Sequence, residues 1–263
     1  MKRIHLFLIP LFLLVLLSGC MVQKDTKDES MSTLQVPREA SSSSAIMKQE
    51  VRTLQELIAM SQSGDGEAQF NLGMVHLEGT GSLKNTKEGL LWLEKSAEQG
   101  YVKAQFNMGV IYYQGSDGVK KDYTKARAWF QKAAAGGDRL AQFNLGVMEY
   151  RGEGMKPDYK KAKDSFLRAS ALGHAEGAYN IGVMYAKGEG VTRDTIEAIA
   201  WFSISEAQGA PKATEVKKGL LARLSDDEKK KASERSVALA KELVALAVSL
   251  APTNSSASAS SQR

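Results

Sequence analysis

The sequence predicts an all-α protein, a right-handed α-solenoid of stacked helical hairpins, and three observations lead there. A six-residue phrase recurs four times: Ala68-Gln69-Phe70-Asn71-Leu72-Gly73, Ala104-Gln105-Phe106-Asn107-Met108-Gly109, Ala141-Gln142-Phe143-Asn144-Leu145-Gly146 and Gly177-Ala178-Tyr179-Asn180-Ile181-Gly182. Its glycines stand 36, 37 and 36 residues apart. Each phrase is followed on the same beat by a glycine-rich loop, an Asx residue, a bulky pair and a closing glycine. A fixed period in this range is the mark of units that bury their apolar faces only by stacking on one another.

Each element of the unit has a physical task. The phrase opens helix A, where its small residues let a second helix come close. The loops Gly79/Gly81, Gly115/Gly118, Gly152/Gly154 and Gly188/Gly190 supply backbone angles that other residues resist. Asn85, Asp122, Asp158 and Asp194 are N-caps for helix B, accepting bonds from its first amides. The pairs Trp92-Leu93, Trp129-Phe130, Ser165-Phe166 and Trp201-Phe202 are expected to face helix A. Gly100, Gly137, Gly173 and Gly209 suit the left-handed turn that ends a helix.

Spacing and composition divide the chain into a leader over 1–19, a flexible tether over 20–45, an N-terminal capping helix within 46–66, four repeats over 67–210, C-terminal capping helices over 211–250 and a Ser/Ala-rich tail over 251–263. Leu54 to Gly64 has the length and closing glycine of a helix B that lacks its own helix A. Ser225-Asp226-Asp227-Glu228 is a capping box, opening a helix from about 226 to 250 that is expected to cover the C-terminal end of the stack.

The leader is read from charge and hydropathy. Lys2 and Arg3 precede an apolar run from Ile4 to Leu17, long enough for a signal-peptide core and short for a membrane span. It ends in Leu17-Ser18-Gly19-Cys20, which resembles the lipobox of bacterial lipoproteins. That resemblance implies cleavage before Cys20, acylation of its thiol and amine, and stable attachment to a membrane. Met21 follows the cysteine; by resemblance to enteric lipoproteins, where an aspartate there favours inner-membrane retention, the expected location is the outer membrane, facing the periplasm. Cys20 is the one cysteine, so no disulfide forms within the chain and no thiolate cluster holds a metal.

The formal charge of +5 falls to +3 without residues 1–19, which hold Lys2 and Arg3 and no acid. The remaining cations are scattered among acids, so no nucleic-acid partner is expected. His5, His76 and His174 are the only histidines. His76 is expected to pack within the fold and His174 to face solvent. With no nucleophile elbow and no Ser-x-x-Lys pair, no catalytic residue, metal, cofactor or small-molecule substrate is assigned.

Residues 68–210 resemble the SEL-1-like repeat family, a relative of the tetratricopeptide repeats. The second unit is the best copy, with Tyr112, Val119, Asp122, Lys125-Ala126 and Lys132-Ala133-Ala134; His76 and Glu149 depart from the family tyrosine, Asn85 from its aspartate and Ser165 from its tryptophan. The resemblance implies an adaptor or scaffold with a concave groove lined by A helices, binding a protein or peptide. Candidate contacts are Asn71, Asn107, Asn144 and Asn180, since an equivalent asparagine in tetratricopeptide proteins can bond a peptide backbone, or can serve the stack itself. Phe70, Phe106, Phe143 and Tyr179 form either an apolar floor or core, and Tyr113, Tyr150 and Arg151 are expected to be exposed anchors. A cell-wall or glycan-associated structural role is the alternative. A β-lactamase-like activity is a minor one, since the relatives linked to it carry a cysteine pair per repeat.

Overall fold

A computed structural model of the chain describes residues 54–79, 83–115 and 118–250. Cys20, the expected leader and tether, residues 46–53 of the N-terminal cap and the tail lie outside the described residues.

Eleven helices make up the described residues: α1 (Leu54–Gln62), α2 (Gly66–Glu78), α3 (Thr86–Glu98), α4 (Val102–Gln114), α5 (Tyr123–Ala135), α6 (Arg139–Arg151), α7 (Tyr159–Ala171), α8 (Ala175–Lys187), α9 (Thr195–Ala207), α10 (Pro211–Leu221) and α11 (Asp226–Leu250). Four hairpins, α2/α3, α4/α5, α6/α7 and α8/α9, follow one another as an α-solenoid, each B helix also packing on the next A helix. Helix α1 stands as a B helix before the first hairpin and packs on α2.

The expected caps are present. Asn85, Asp122, Asp158 and Asp194 each accept from the amide three residues on, at Glu88, Lys125, Lys161 and Glu197. The closing glycines have φ of 93°, 86°, 82° and 99° at Gly100, Gly137, Gly173 and Gly209, and Gly64 after α1 has 98°. These are angles where a side chain would be strained.

Small residues set the distance between the two helices of a hairpin. A Cβ placed on Gly109, Gly146 or Gly182 would lie 2.5, 2.6 or 2.8 Å from the ring of Phe130, Phe166 or Phe202. Those three rings and Leu93 are fully buried, so the helix B phenylalanine sits on the bare backbone of helix A. The bulky pair therefore splits: its second member sits on the helix A glycine, and its first lies to one side of it. Successive helical residues lie about 100° apart, so the first member points aside; Trp92 and Trp129 are half-buried, and Trp129 packs on the cluster of Phe70, Leu93 and Met108, which joins the preceding hairpin to its own helix A.

The C-terminal segment also departs from expectation. Helix α10 follows α9 as a fifth A helix, with fully buried Ala213 in the small position that Ala68, Ala104 and Ala141 hold in earlier units. Helix α11 begins at its capping box, where Glu228 accepts from the Ser225 amide at 2.8 Å. Rather than closing the end of the stack, it runs back across α9 and reaches α7. Leu239 and Leu243 sink into the groove between those helices, which is the apolar surface that remains once α10 has covered α9.

Candidate functional site

Helix A carries three kinds of position, and the predicted site residues fall among all of them. Phe70, Phe106 and Phe143 are buried. Phe106 meets Phe130 at 5.7 Å between ring centres, Phe143 meets Phe166 at 5.7 Å, and half-buried Tyr179 meets Phe202 at 5.4 Å. These rings are the core of each hairpin and offer no apolar floor to a ligand. The sequence left the two possibilities open because an aromatic at one position of every unit fits either.

The asparagines divide by position in the stack. Asn144 and Asn180 have no exposed surface, so in hairpins three and four the asparagine belongs to the packing. Asn71 and Asn107 are half-buried, and the Asn107 amide donates to the Lys103 carbonyl at 2.8 Å.

Tyr113 and Tyr150 are not exposed anchors. Both are half-buried, and their hydroxyls donate to Glu153 at 3.0 Å and to Glu189 at 2.5 Å. Each glutamate is the middle residue of the Gly-x-Gly loop of the next hairpin. Each tyrosine ring also packs on the first residue of its own helix B, Tyr123 at 5.3 Å and Tyr150 on Tyr159 at 5.2 Å. The clasp thus ties one hairpin to the loop of the next, twice in succession. Burial and the neighbouring Glu153 carboxylate push the Tyr113 hydroxyl above its ordinary pKa, which keeps it a donor. Arg151 is exposed and lies 3.8 Å from Glu153.

Other stitching residues escaped the sequence reading. The buried Gln69 amide donates to the Ser61 carbonyl at 3.0 Å and Gln105 to the Ala97 carbonyl at 3.1 Å, so each adds a second donor to a carbonyl in the last turn of the preceding helix. Ser96 and Ser205 donate to the carbonyls of Gly66 and Ala175, the first residues of their own A helices. For the glutamines the signal was their recurrence within the phrase, at Gln69, Gln105 and Gln142. Two departures from the family pattern prove to be partners, since Ser165 donates to Glu149 at 2.7 Å. Where the second and fourth hairpins have tyrosine and tryptophan, and the first has His76 and Trp92, the third has this hydrogen-bonded pair.

The histidines differ from one another. His76 Nδ1 lies 3.0 Å from the Leu83 carbonyl and closes the first loop. His174 does not face solvent: it is 6 % exposed and meets the Phe143 ring edge-on at 4.6 Å, because the residue after the closing glycine turns inward to begin α8. Burial lowers its pKa to about 4, with Glu176 opposing and Arg139 reinforcing the shift. A folded pKa below the unfolded value means that unfolding takes up a proton. The stabilisation is complete above pH 6.5 and is lost as pH falls towards 4, a change of about 3 kcal/mol at most. His174→Phe is expected to flatten the pH dependence of the unfolding free energy between those limits, measured by urea titration at a series of pH values; an unchanged slope would refute the assignment.

Among the described residues no cluster of three metal-binding side chains occurs, and no helix is long and apolar enough to cross a membrane.

The family follows from a comparison of these units with known repeats. A model of the Sel1 repeat matches residues 66–101, 102–138, 139–174 and 175–209, which together are more than half of the chain. The chain belongs to the Sel1-repeat family. Each matched Sel1 repeat coincides with one hairpin. Among solved structures, a Sel1 repeat protein from Oxalobacter formigenes is 29 % identical with a TM-score of 0.58, covering 72 % of this chain and 78 % of its own. A protective antigen of uropathogenic Escherichia coli displaying an SLR fold is 26 % identical with a TM-score of 0.47, over 74 % of this chain and 49 % of its own. No curated protein matches. Sel1-repeat solenoids commonly serve as protein-interaction scaffolds.

Proposed function

We propose that this Sel1-repeat protein is a lipid-anchored adaptor of the bacterial cell envelope, held by acylated Cys20 in the outer membrane and facing the periplasm, that binds a protein or peptide partner on its A helices rather than acting as an enzyme. The observation that supports the binding role is the unbroken stack of four Sel1 repeats, whose first two A helices present the half-exposed amides of Asn71 and Asn107 in the same register. An amide donates and accepts, so a row of them suits an extended backbone without asking for charge. Arg151, at the end of the third A helix, is an exposed cation.

Two measurements test the reading. Labelled palmitate is expected to enter the full chain and not Cys20→Ala; label retained in the variant would remove the anchor. Affinity capture from envelope extract with the full chain is expected to recover a saturable partner that is lost with Asn71→Lys/Asn107→Lys. Recovery unaffected by those changes, or no saturable partner, would refute the A-helix surface.

A further inference from the structure

The solenoid shows on one face how it receives a helix. Helix α11 lies in the groove between α7 and α9, over Leu167, Ile181, Tyr185 and Trp201, and Arg235 on α11 pairs with Glu197 on α9. The seated helix leaves Trp201 only 5 % exposed.

Counting from the phrase glycine and the closing glycine transfers these positions to the other hairpins. Between α5 and α7 they fall on Glu149 and Ser165, which satisfy each other and make that groove polar. Between α3 and α5 they fall on Glu94, Met108, Tyr112 and Trp129, and Leu90 takes the place of Lys163, so the floor is again apolar and aromatic with one acid on its α3 side. Here Tyr112 and Trp129 are half-buried, and no helix of the described residues lies over them. Tyr112 stands five residues after Asn107, about 140° round the helix, so this groove is not the A-helix surface proposed above.

The charge at the key position is reversed. Lys125 occupies the place of Glu197. Helix α5 carries Lys125, Arg127 and Lys132 and no acid, while α3 carries Lys87 and Lys95 with Glu88, Glu94 and Glu98. Lys125 lies over the Tyr112 ring at 5.0 Å and Lys132 over the Trp129 ring at 4.0 Å. Such ammonium groups hold an aromatic face weakly at an exposed site, and a carboxylate would draw them off it. A second copy of α11 would bring Arg235 against Lys125, so the charges disfavour that occupant.

We propose that the groove between α3 and α5 docks an acidic amphipathic helix of a protein partner, its apolar stripe on Tyr112, Trp129 and Leu90 and its carboxylates on the α5 side, on Lys125 and Lys132 and away from Glu94. Helix-in-groove recognition of this kind reads apolar anchors at i, i+3 or i+4, and i+7.

The test uses the full chain and two synthetic helices with the same leucine stripe, one flanked by glutamates and the other by lysines, titrated by calorimetry. The glutamate peptide is expected to bind saturably and at least about tenfold more tightly than the lysine peptide, with Lys125→Glu reducing the difference. Tyr112→Glu/Trp129→Ser transplants the pair that the third hairpin already uses, so it is expected to keep the helical circular dichroism while abolishing binding. Equal binding of the two peptides, no binding, or binding that survives the transplanted pair would overturn the proposal, as would self-association of the chain through Trp129. Asn71→Lys/Asn107→Lys leaves this binding unchanged, which separates its outcome from that of the adaptor reading.

Discussion

Phe166→Ala will lower the unfolding free energy by about 3–5 kcal/mol, the range for removing a fully buried aromatic ring. Phe166 has no exposed surface, packs on Phe143 and lies against the backbone of Gly146. The reciprocal change, Gly146→Ala, adds a methyl group 2.6 Å from that ring and will cost about 1–3 kcal/mol by overpacking. Combined, the two will cost less than their sum, because the methyl enters the space that the ring has left. Denaturant titration of the three variants checks this; additive losses would show that the glycine is not there to admit the ring.

Leu239→Asp will detach α11. The side chain is 2 % exposed in the groove between α7 and α9, and an unpaired carboxylate placed there costs about 3 kcal/mol or more. Trp201 then meets water, so its emission will shift to longer wavelength and α11 will become sensitive to protease while α2 to α9 stay helical. Arg235→Ala removes the bonds to Glu197 and Glu242 from a side chain that is 30 % exposed, and will cost about 1 kcal/mol. A full helix release in Arg235→Ala, or none in Leu239→Asp, would show that charge and not apolar contact seats the helix.

The sequence made the hairpins and their ends legible because caps are local. An Asx accepting from the third amide on, or a glycine with positive φ, is decided within a few residues, and Asn85, Asp122 and the closing glycines behave as their types require. The site was less legible because it depends on which side of helix A each residue faces once two B helices have packed on it. Asn71 and Asn144 hold the same place in the phrase, yet one is half-exposed and the other sealed. Tyr113 and Tyr150 read as anchors until the glutamates of the next loops came within reach, 40 and 39 residues away. Glu149 and Ser165 were seen as two separate departures, since 16 residues hide a contact that the hairpin creates. The path of α11 was illegible for a similar reason: its apolar spacing fits the end of the stack as well as its flank.

That path gives the array a direction. In a stack whose units hold only their neighbours, loss of structure starts wherever the ends are weakest. Helix α11 spans from α9 to α7 and braces the last two hairpins against each other, while α1 rests on α2 alone among the described helices it substantially contacts. Fraying is therefore expected to run from α1 towards α9, with the exchange of backbone amides following the same gradient. Were the chain held at Cys20 as proposed, the hairpins nearest that point would be the ones to yield first under tension, and the braced pair farthest from it would be the last to open.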